Sequence, residues 1–335
     1  MPFENVKVPA PGGGTGVEVL SPRGSTESGA LSWQASLFAL LLCCLWGGLA
    51  PAIKVGLRGM PPVGMAGWRF LLALACLLAW CRWRRIPLNW ALGLRLGMIG
   101  LSFLFVLQIA LLNVGARLTS SSHMIVLLNS APLFVVIIAH FLVPDDRFTW
   151  RKVTGLLLSF GGICITFRDA VSGVSSSWVG DSLVLISGFL LAVLQIYSKH
   201  LVRRLTPYEV IVGQMVYGVP LFFVASALLD PPVAYQLTGG VWLSLIYQGV
   251  VVGAFCFSGW IRLLSRYSAS KVSAFLFTAP LFGVGLSRIV LGDEISRSFL
   301  AGAGLVAVGI YWAVAPSYSG RSSAVATTSM TGLSS

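Results

Sequence analysis

The sequence predicts an all-α polytopic membrane protein, with ten transmembrane helices arranged as an inverted 5+5 repeat. Composition, the spacing of apolar runs and an internal duplication predict it. Of 335 residues, 56% are hydrophobic and only 10% are charged, against roughly 25% charged in a soluble domain. So little polar material cannot cover a water-facing surface, which excludes a soluble enzyme. A transmembrane barrel would show short alternating segments, whereas this chain shows long continuous apolar runs.

A helix needs about 20 apolar residues to cross about 30 Å of hydrocarbon. Ten segments approach or meet that length: 35–55, 64–81, 94–114, 122–143, 153–167, 181–199, 208–229, 241–263, 271–290 and 299–315. Their connections are short and leave no room for a soluble catalytic domain. Residues 1–34 are rich in Gly, Pro and Ser, and residues 316–335 in Ser and Thr. Both read as disordered cytoplasmic tails. The first 34 residues are polar and lack the pattern of a cleaved signal peptide.

The net charge of +12 does not call for nucleic acid, because the basic residues sit in gaps between apolar runs. With both termini cytoplasmic, thirteen Lys and Arg fall in inner loops and five in outer loops, counted along the sequence. That is the positive-inside bias of a multi-pass protein of the plasma or inner membrane. Every second loop is basic, which supports an even number of spans. The six cysteines lie within or at the edges of apolar segments without metal-ligand spacing, so they read as small core residues rather than a disulfide pair.

The two halves, 35–170 and 179–315, resemble each other. Lys54 precedes Pro62 by eight residues, as Lys199 precedes Pro207. Ala131-Pro132-Leu133-Phe134 recurs as Ala279-Pro280-Leu281-Phe282. Thirteen residues past each of these prolines stand the acidic pairs Asp145-Asp146 and Asp293-Glu294. Five spans per half is an odd number, so equivalent helices cross in opposite directions. That is the plan of many secondary transporters, with the substrate site near the midplane between halves.

The run Leu45-Trp46-Gly47-Gly48, followed by Lys54, Pro62 and Arg69-Phe70, resembles the start of an EamA repeat of the drug/metabolite transporter superfamily. So does the Pro132 helix with its acidic end, followed by Gly155 and Gly161-Gly162; the second half repeats the pattern less fully through Lys199, Pro207, Pro280, Gly302 and Gly309. The resemblance implies ten helices, cytoplasmic termini, a central cavity and export or exchange of small metabolites, amino acids or drugs. It departs in Val143-Pro144-Asp145-Asp146, where the family favours a Leu-Gly-Glu-like run, and in Gln214 at the position equivalent to Arg69.

Ionisable groups inside a bilayer are costly, so each is a candidate for function. Lys54 and Arg69 either face the cavity, where they would hold an anionic or zwitterionic substrate, or snorkel to the headgroups. Asn129 stands a turn before Pro132, whose ring frees a carbonyl and bends the helix; Thr278 is its counterpart before Pro280. Gln108, Gln195, Gln214 and Gln248 are further substrate-binding candidates, each with a structural alternative in an interhelical hydrogen bond. Trp46 and Trp260 are candidates to stack on substrate, with interface anchoring the alternative for Trp260. Pro132, Pro280, Gly283 and Gly285 are the candidate hinge and packing residues.

The sequence places no acidic residue at mid-membrane, which favours facilitated diffusion or exchange, or a proton path through His123 or His140. There is no Walker loop, no His-Glu-x-x-His and no nucleophile elbow, so no cofactor, metal or enzymatic activity is expected. The expected partners are a small-molecule substrate and the lipid bilayer, not nucleic acid; the oligomeric state is open, a homodimer included. The reading is a secondary transporter for an amino-acid-like or drug-like metabolite, working by alternating access and exporting or exchanging. The alternatives are an organic-anion carrier using Lys54 and Arg69, and a lipid-acting enzyme or scaffold.

Overall fold

The computed structural model describes residues 6–7, 18–19, 31–88, 95–119, 121–143, 146, 149–168, 177–231, 235–291 and 297–314. Most of the expected tails lies outside them; within the first tail, Val6–Lys7 pairs antiparallel with Glu18–Val19. The body is helical throughout. In the first half the helices are α1 (Trp33–Gly47), α2 (Leu49–Gly56), α3 (Pro62–Trp83), α4 (Arg95–Leu118), α5 (Ser121–Leu128), α6 (Ala131–Leu142) and α7 (Trp150–Thr166). In the second half they are α8 (Trp178–Leu201), α9 (Pro207–Leu229), α10 (Gly239–Ile246), a π-helical stretch Tyr247–Cys256, α11 (Phe257–Arg266), α12 (Ala269–Ala274), a 3-10 turn Phe275–Phe277, α13 (Thr278–Leu291) and α14 (Arg297–Val314). Seven helical stretches among the described residues are long and apolar enough to cross a membrane. Shorter apolar helices occupy the other three expected segments.

Prolines explain why some spans are broken. A proline ring clashes with the carbonyl four residues earlier and donates no hydrogen bond. Four residues before Pro51 is Gly47, where α1 ends; four before Pro132 is Leu128, where α5 ends; four before Pro280 is Leu276, inside the 3-10 turn. Polar side chains take the carbonyls near the breaks. Asn129 Nδ2 donates to Ile125 O at 2.8 Å, Ser130 Oγ to Leu127 O at 2.6 Å and Thr278 Oγ1 to Phe275 O at 2.7 Å. The duplicated prolines Pro62 and Pro207 instead open α3 and α9, where a missing N–H costs nothing. The start of α9 is secured by a Thr206–Glu209 capping box. The start of α3 is capped by Asp230 at the end of α9, which accepts from Val63 N at 3.2 Å and Gly64 N at 2.7 Å.

The packing repeats the duplication. Helix α3 lies on its counterpart α9, and α7 on its counterpart α14. The contact of α1 with α13 is matched by that of α8 with α6, and the contact of α3 with the π-helical stretch by that of α9 with α4. An aromatic cluster of Phe70, Phe105, Phe222 and Phe257 ties four of these segments together, its stacked Phe70–Phe222 pair having ring centroids 5.3 Å apart.

Helices α7 and α14 meet backbone to backbone. A Cβ built on Gly162 would stand 2.7 Å from Gly302 O, and one on Gly155 2.7 Å from Ala313 N. Neither neighbour can rotate away, so small residues here are a packing requirement. Gly162→Leu is expected to destabilise the protein by about 3 kcal/mol or more. Size-exclusion yield after heating, set against the parent protein, checks this; an unchanged melting point would refute the close contact.

Two expectations are corrected. Lys199, counted among the inner-loop cations, is buried in the last turn of α8, where Nζ donates to Leu264 O at 3.0 Å and Tyr267 O at 2.6 Å. A long apolar stem lets the ammonium reach carbonyls in the last turn of α11 and at its C-cap. The cysteines do not all belong to the core: Cys43, Cys81 and Cys256 are buried, but Cys44 and Cys164 are exposed.

Candidate functional site

A cavity of about 550 Å³ lies between the two halves, within the 300–1,000 Å³ usual for small-molecule sites. The first half contributes Trp46 and Gly47 at the end of α1, Pro51 of α2, and Asn129 at the break between α5 and α6. From α4 come Phe105, Gln108 and Asn113. The second half contributes Gln195 and Ser198 of α8, Gln214 of α9, and Phe257 and Trp260 of α11; Pro280 and Gly283 of α13 complete this side. All three proline-associated breaks therefore border the same space. Interrupted helices in corresponding positions of two halves mark the binding site in repeat-built transporters.

The walls are mainly apolar and aromatic. Trp46 stands edge-on to Trp260, centroids 5.0 Å apart, and to Phe257 at 5.8 Å. Against this background a few amides stand out, and two have unsatisfied atoms. Gln195 is 4% exposed, and neither Oε1 nor Nε2 has a hydrogen-bond partner. Asn113 is fully buried; Nδ2 donates to Pro62 O at 3.0 Å while Oδ1 has no partner. Burying unpaired amide atoms costs about 1–3 kcal/mol per group, which a ligand with matching groups would offset. One free donor and two free acceptors match a ligand that itself both donates and accepts. No charged side chain lines the cavity among the described residues.

Gln108, Asn129 and Gln248 are engaged, while Gln214 borders the cavity and its backbone O accepts from Ser102 Oγ at 3.0 Å. Gln108 Nε2 donates to Ser187 Oγ at 2.8 Å across the α4–α8 contact, and Ser187 Oγ returns a bond to Gln108 O at 3.0 Å. Asn129 braces its own broken helix, though it borders the cavity. Gln248 and Thr278 lie outside the lining. Gln248 accepts from Arg69 Nη1 at 3.1 Å and donates to Ser244 Oγ at 2.7 Å and Ala52 O at 3.3 Å. Arg69 is 3% exposed, stacks on Phe70 and does not line the cavity. It thus braces α3 against the π-helical stretch, which in turn holds α2. The side chain of Lys54 falls outside the described residues. Of the hinge candidates, Pro280 and Gly283 border the cavity; Pro132 and Gly285 do not.

Sequence reasoning missed Asn113 and the break at Pro51. Asn113 lies at the end of a predicted span, where a polar residue reads as headgroup contact. Pro51 had a signal in its i−4 relation to Gly47, obscured by the apolar run around it.

At one end of the bundle Asp146 joins the halves. It accepts from Lys152 Nζ at 2.6 Å and, across the interface, from Ser270 N at 2.9 Å in α12. Burial alone would raise its pKa, but Lys152 beside it and the hydrogen bonds from Lys152, Ser270 and Ser268 prevail and hold the carboxyl below its ordinary value. His123 Nδ1 stands 3.1 Å from Asp181 Oδ2, linking the start of α5 to the first turn of α8. Glu209 serves the capping box. These carboxylates all work at helix termini.

Comparison with known proteins adds to this geometry. The model of the EamA-like transporter family matches the chain twice, over residues 33–168 and 178–315. An uncharacterized transporter of Archaeoglobus fulgidus is 28% identical over 81% of this chain and 95% of its own length. A probable amino-acid metabolite efflux pump of Escherichia coli is 27% identical over 84% of this chain and 95% of its own, and one of Salmonella typhimurium 26% identical over similar shares. A crystal structure at 19% identity superposes with a TM-score of 0.73, covering 84% of this chain and 98% of that one; it bears on the fold alone.

Proposed function

We propose that this chain, which belongs to the EamA-like transporter family and is thus a small-molecule membrane transporter, carries a small amphipathic, zwitterionic metabolite by alternating access. The observation that carries the reading is the cavity between the halves, with its apolar walls and the unpaired amide atoms of Gln195 and Asn113. The hydrocarbon part of the substrate packs on Trp46, Phe257 and Trp260. An ammonium donates to Asn113 Oδ1 and Gln195 Oε1, and a carboxylate accepts from Gln195 Nε2. The names of the two efflux-pump relatives support an amino-acid-like substrate and export as the direction.

The broken helices supply the motion. Each break leaves two short rods joined by a turn, so a rod beside the cavity tilts without unwinding a whole span. The two five-span repeats, over 35–170 and 179–315, lie inverted in the plasma or inner membrane with both termini cytoplasmic; the excess of Lys and Arg in alternate loops supports that orientation. The carboxylates at helix termini leave no acid in the cavity lining among the described residues, which supports exchange or facilitated diffusion. An organic-anion carrier using Arg69 is not favoured, because that guanidinium is turned to Gln248.

Counterflow in proteoliposomes tests the reading. Protein loaded with unlabelled neutral amino acids is expected to draw in radiolabelled leucine or phenylalanine saturably, with no response to dicarboxylates. Counterflow of dicarboxylates alone would overturn it, as would accumulation only under an imposed pH gradient for the uncoupled mechanism.

A further inference from the structure

A second cavity, of about 580 Å³, lies apart from the first, on the outer side of the contact between α6 and α8. Its walls are Ile138 and Leu142 of α6 and Phe189, Val193 and Ile196 of α8. Phe189 and Leu142 are 44% and 68% exposed, so this groove opens on the surface that faces hydrocarbon. Phe189 also meets Phe134 edge-on at 5.6 Å, which closes the groove toward the middle of the helices. The other end is basic: Lys199, His200 and Arg203 line it, with His200 and Arg203 exposed and Arg204 beside them.

The arrangement is an apolar slot with cations at one mouth. From Phe189 to His200 is eleven residues of α8, about 16 Å of helix, comparable with the depth of half a bilayer's hydrocarbon core. The loop that carries Arg203 and Arg204 belongs to the basic, inner set of the sequence. That is the side on which anionic lipids give the membrane its negative surface potential. Nothing in the transport reading uses this groove, which shares no residue with the central cavity.

We propose that the α6–α8 groove is a binding site for an anionic phospholipid, with one acyl chain along Ile138, Val193 and Ile196 and the headgroup phosphate held by Arg203 and His200. The chain provides affinity through apolar burial, and the cations select against zwitterionic headgroups. Because Val193, Ile196 and the Lys199 anchor lie on the same helix as Gln195, occupancy bears on the helix that carries the substrate amide.

Native mass spectrometry of the full-length, delipidated protein tests this, with phosphatidylglycerol and phosphatidylcholine of equal chain length offered in turn. Phosphatidylglycerol is expected to be retained about tenfold more than phosphatidylcholine. The double variant His200→Gln/Arg203→Gln is expected to abolish that preference, and Val193→Trp to abolish retention of both. His200 and Arg203 are exposed, so the double variant keeps its fold, checked by an unchanged melting point in detergent. Equal retention of the two lipids overturns the proposal. So does a preference that survives the double variant, or glycerol 3-phosphate alone binding as well as the lipid. A dimer that Val193→Trp dissociates, with no lipid retained in either form, would give the groove to a second copy of the chain instead.

Discussion

Gln195→Leu is expected to lower transport of an amino-acid-like substrate by about ten- to a hundredfold while leaving the protein at least as stable. The two halves of this expectation have one cause. Both polar atoms of Gln195 are buried without partners in the protein, so the amide costs the fold about 1–3 kcal/mol. Leucine of similar size removes that cost and leaves the packing of α8 on α4 intact. A charged substrate loses the hydrogen bonds that oriented it, at about 1.5–3 kcal/mol. Counterflow kinetics and the melting temperature of the same purified samples check it. A fall in both would identify Gln195 as a scaffold residue; unchanged transport would remove it from the site.

The second large effect is expected at the contact of α1 with α13. Gly283→Leu should reduce transport by more than tenfold with membrane insertion near normal. A Cβ on Gly283 would stand 3.0 Å from Gly47 O, and one on Gly47 2.7 Å from Gly283 N and 2.9 Å from Ala279 O. Two backbones touch here, Gly47 at the end of α1 and Gly283 a turn past Pro280, each bordering the cavity. A leucine side chain between them splays the wall, at about 1–3 kcal/mol, and holds apart two segments whose relative movement opens the cavity. Gly47→Ala should show a smaller loss in the same direction. Gly285 supplies the control: a Cβ there meets nothing within 4 Å among the described residues, so Gly285→Ala should transport as the parent does. Normal counterflow by a well-expressed Gly283→Leu protein would refute the role of this contact.

The spans were legible because the cost of exposing backbone or charge to hydrocarbon is large and local. Predicted segments and observed helices coincide to within a few residues at most boundaries, as in 208–229 against Pro207–Leu229. The duplicated prolines were legible because covalent geometry acts on the nearest turn whatever the surroundings. The working amides were not. Gln108, Gln195, Gln214 and Gln248 read alike along the chain, yet Gln195 borders the cavity with both polar atoms unpaired while Gln248 holds Arg69. Arg69 and Lys199 read as charges near span ends, and both turn out buried and hydrogen-bonded within the bundle.

By itself the sequence determined that this chain lives in lipid, how many apolar segments it offers the bilayer, that its halves share an origin and that Pro132 and Pro280 interrupt their spans. These follow from solvation and bond geometry, which each short stretch of chain carries within it. Only the tertiary structure decided which side of each helix meets lipid, which meets its counterpart in the other half and which meets the cavity. A helix that is apolar all round has no periodic polarity to announce its facing, so the partner helices assign it, and with it the role of every amide.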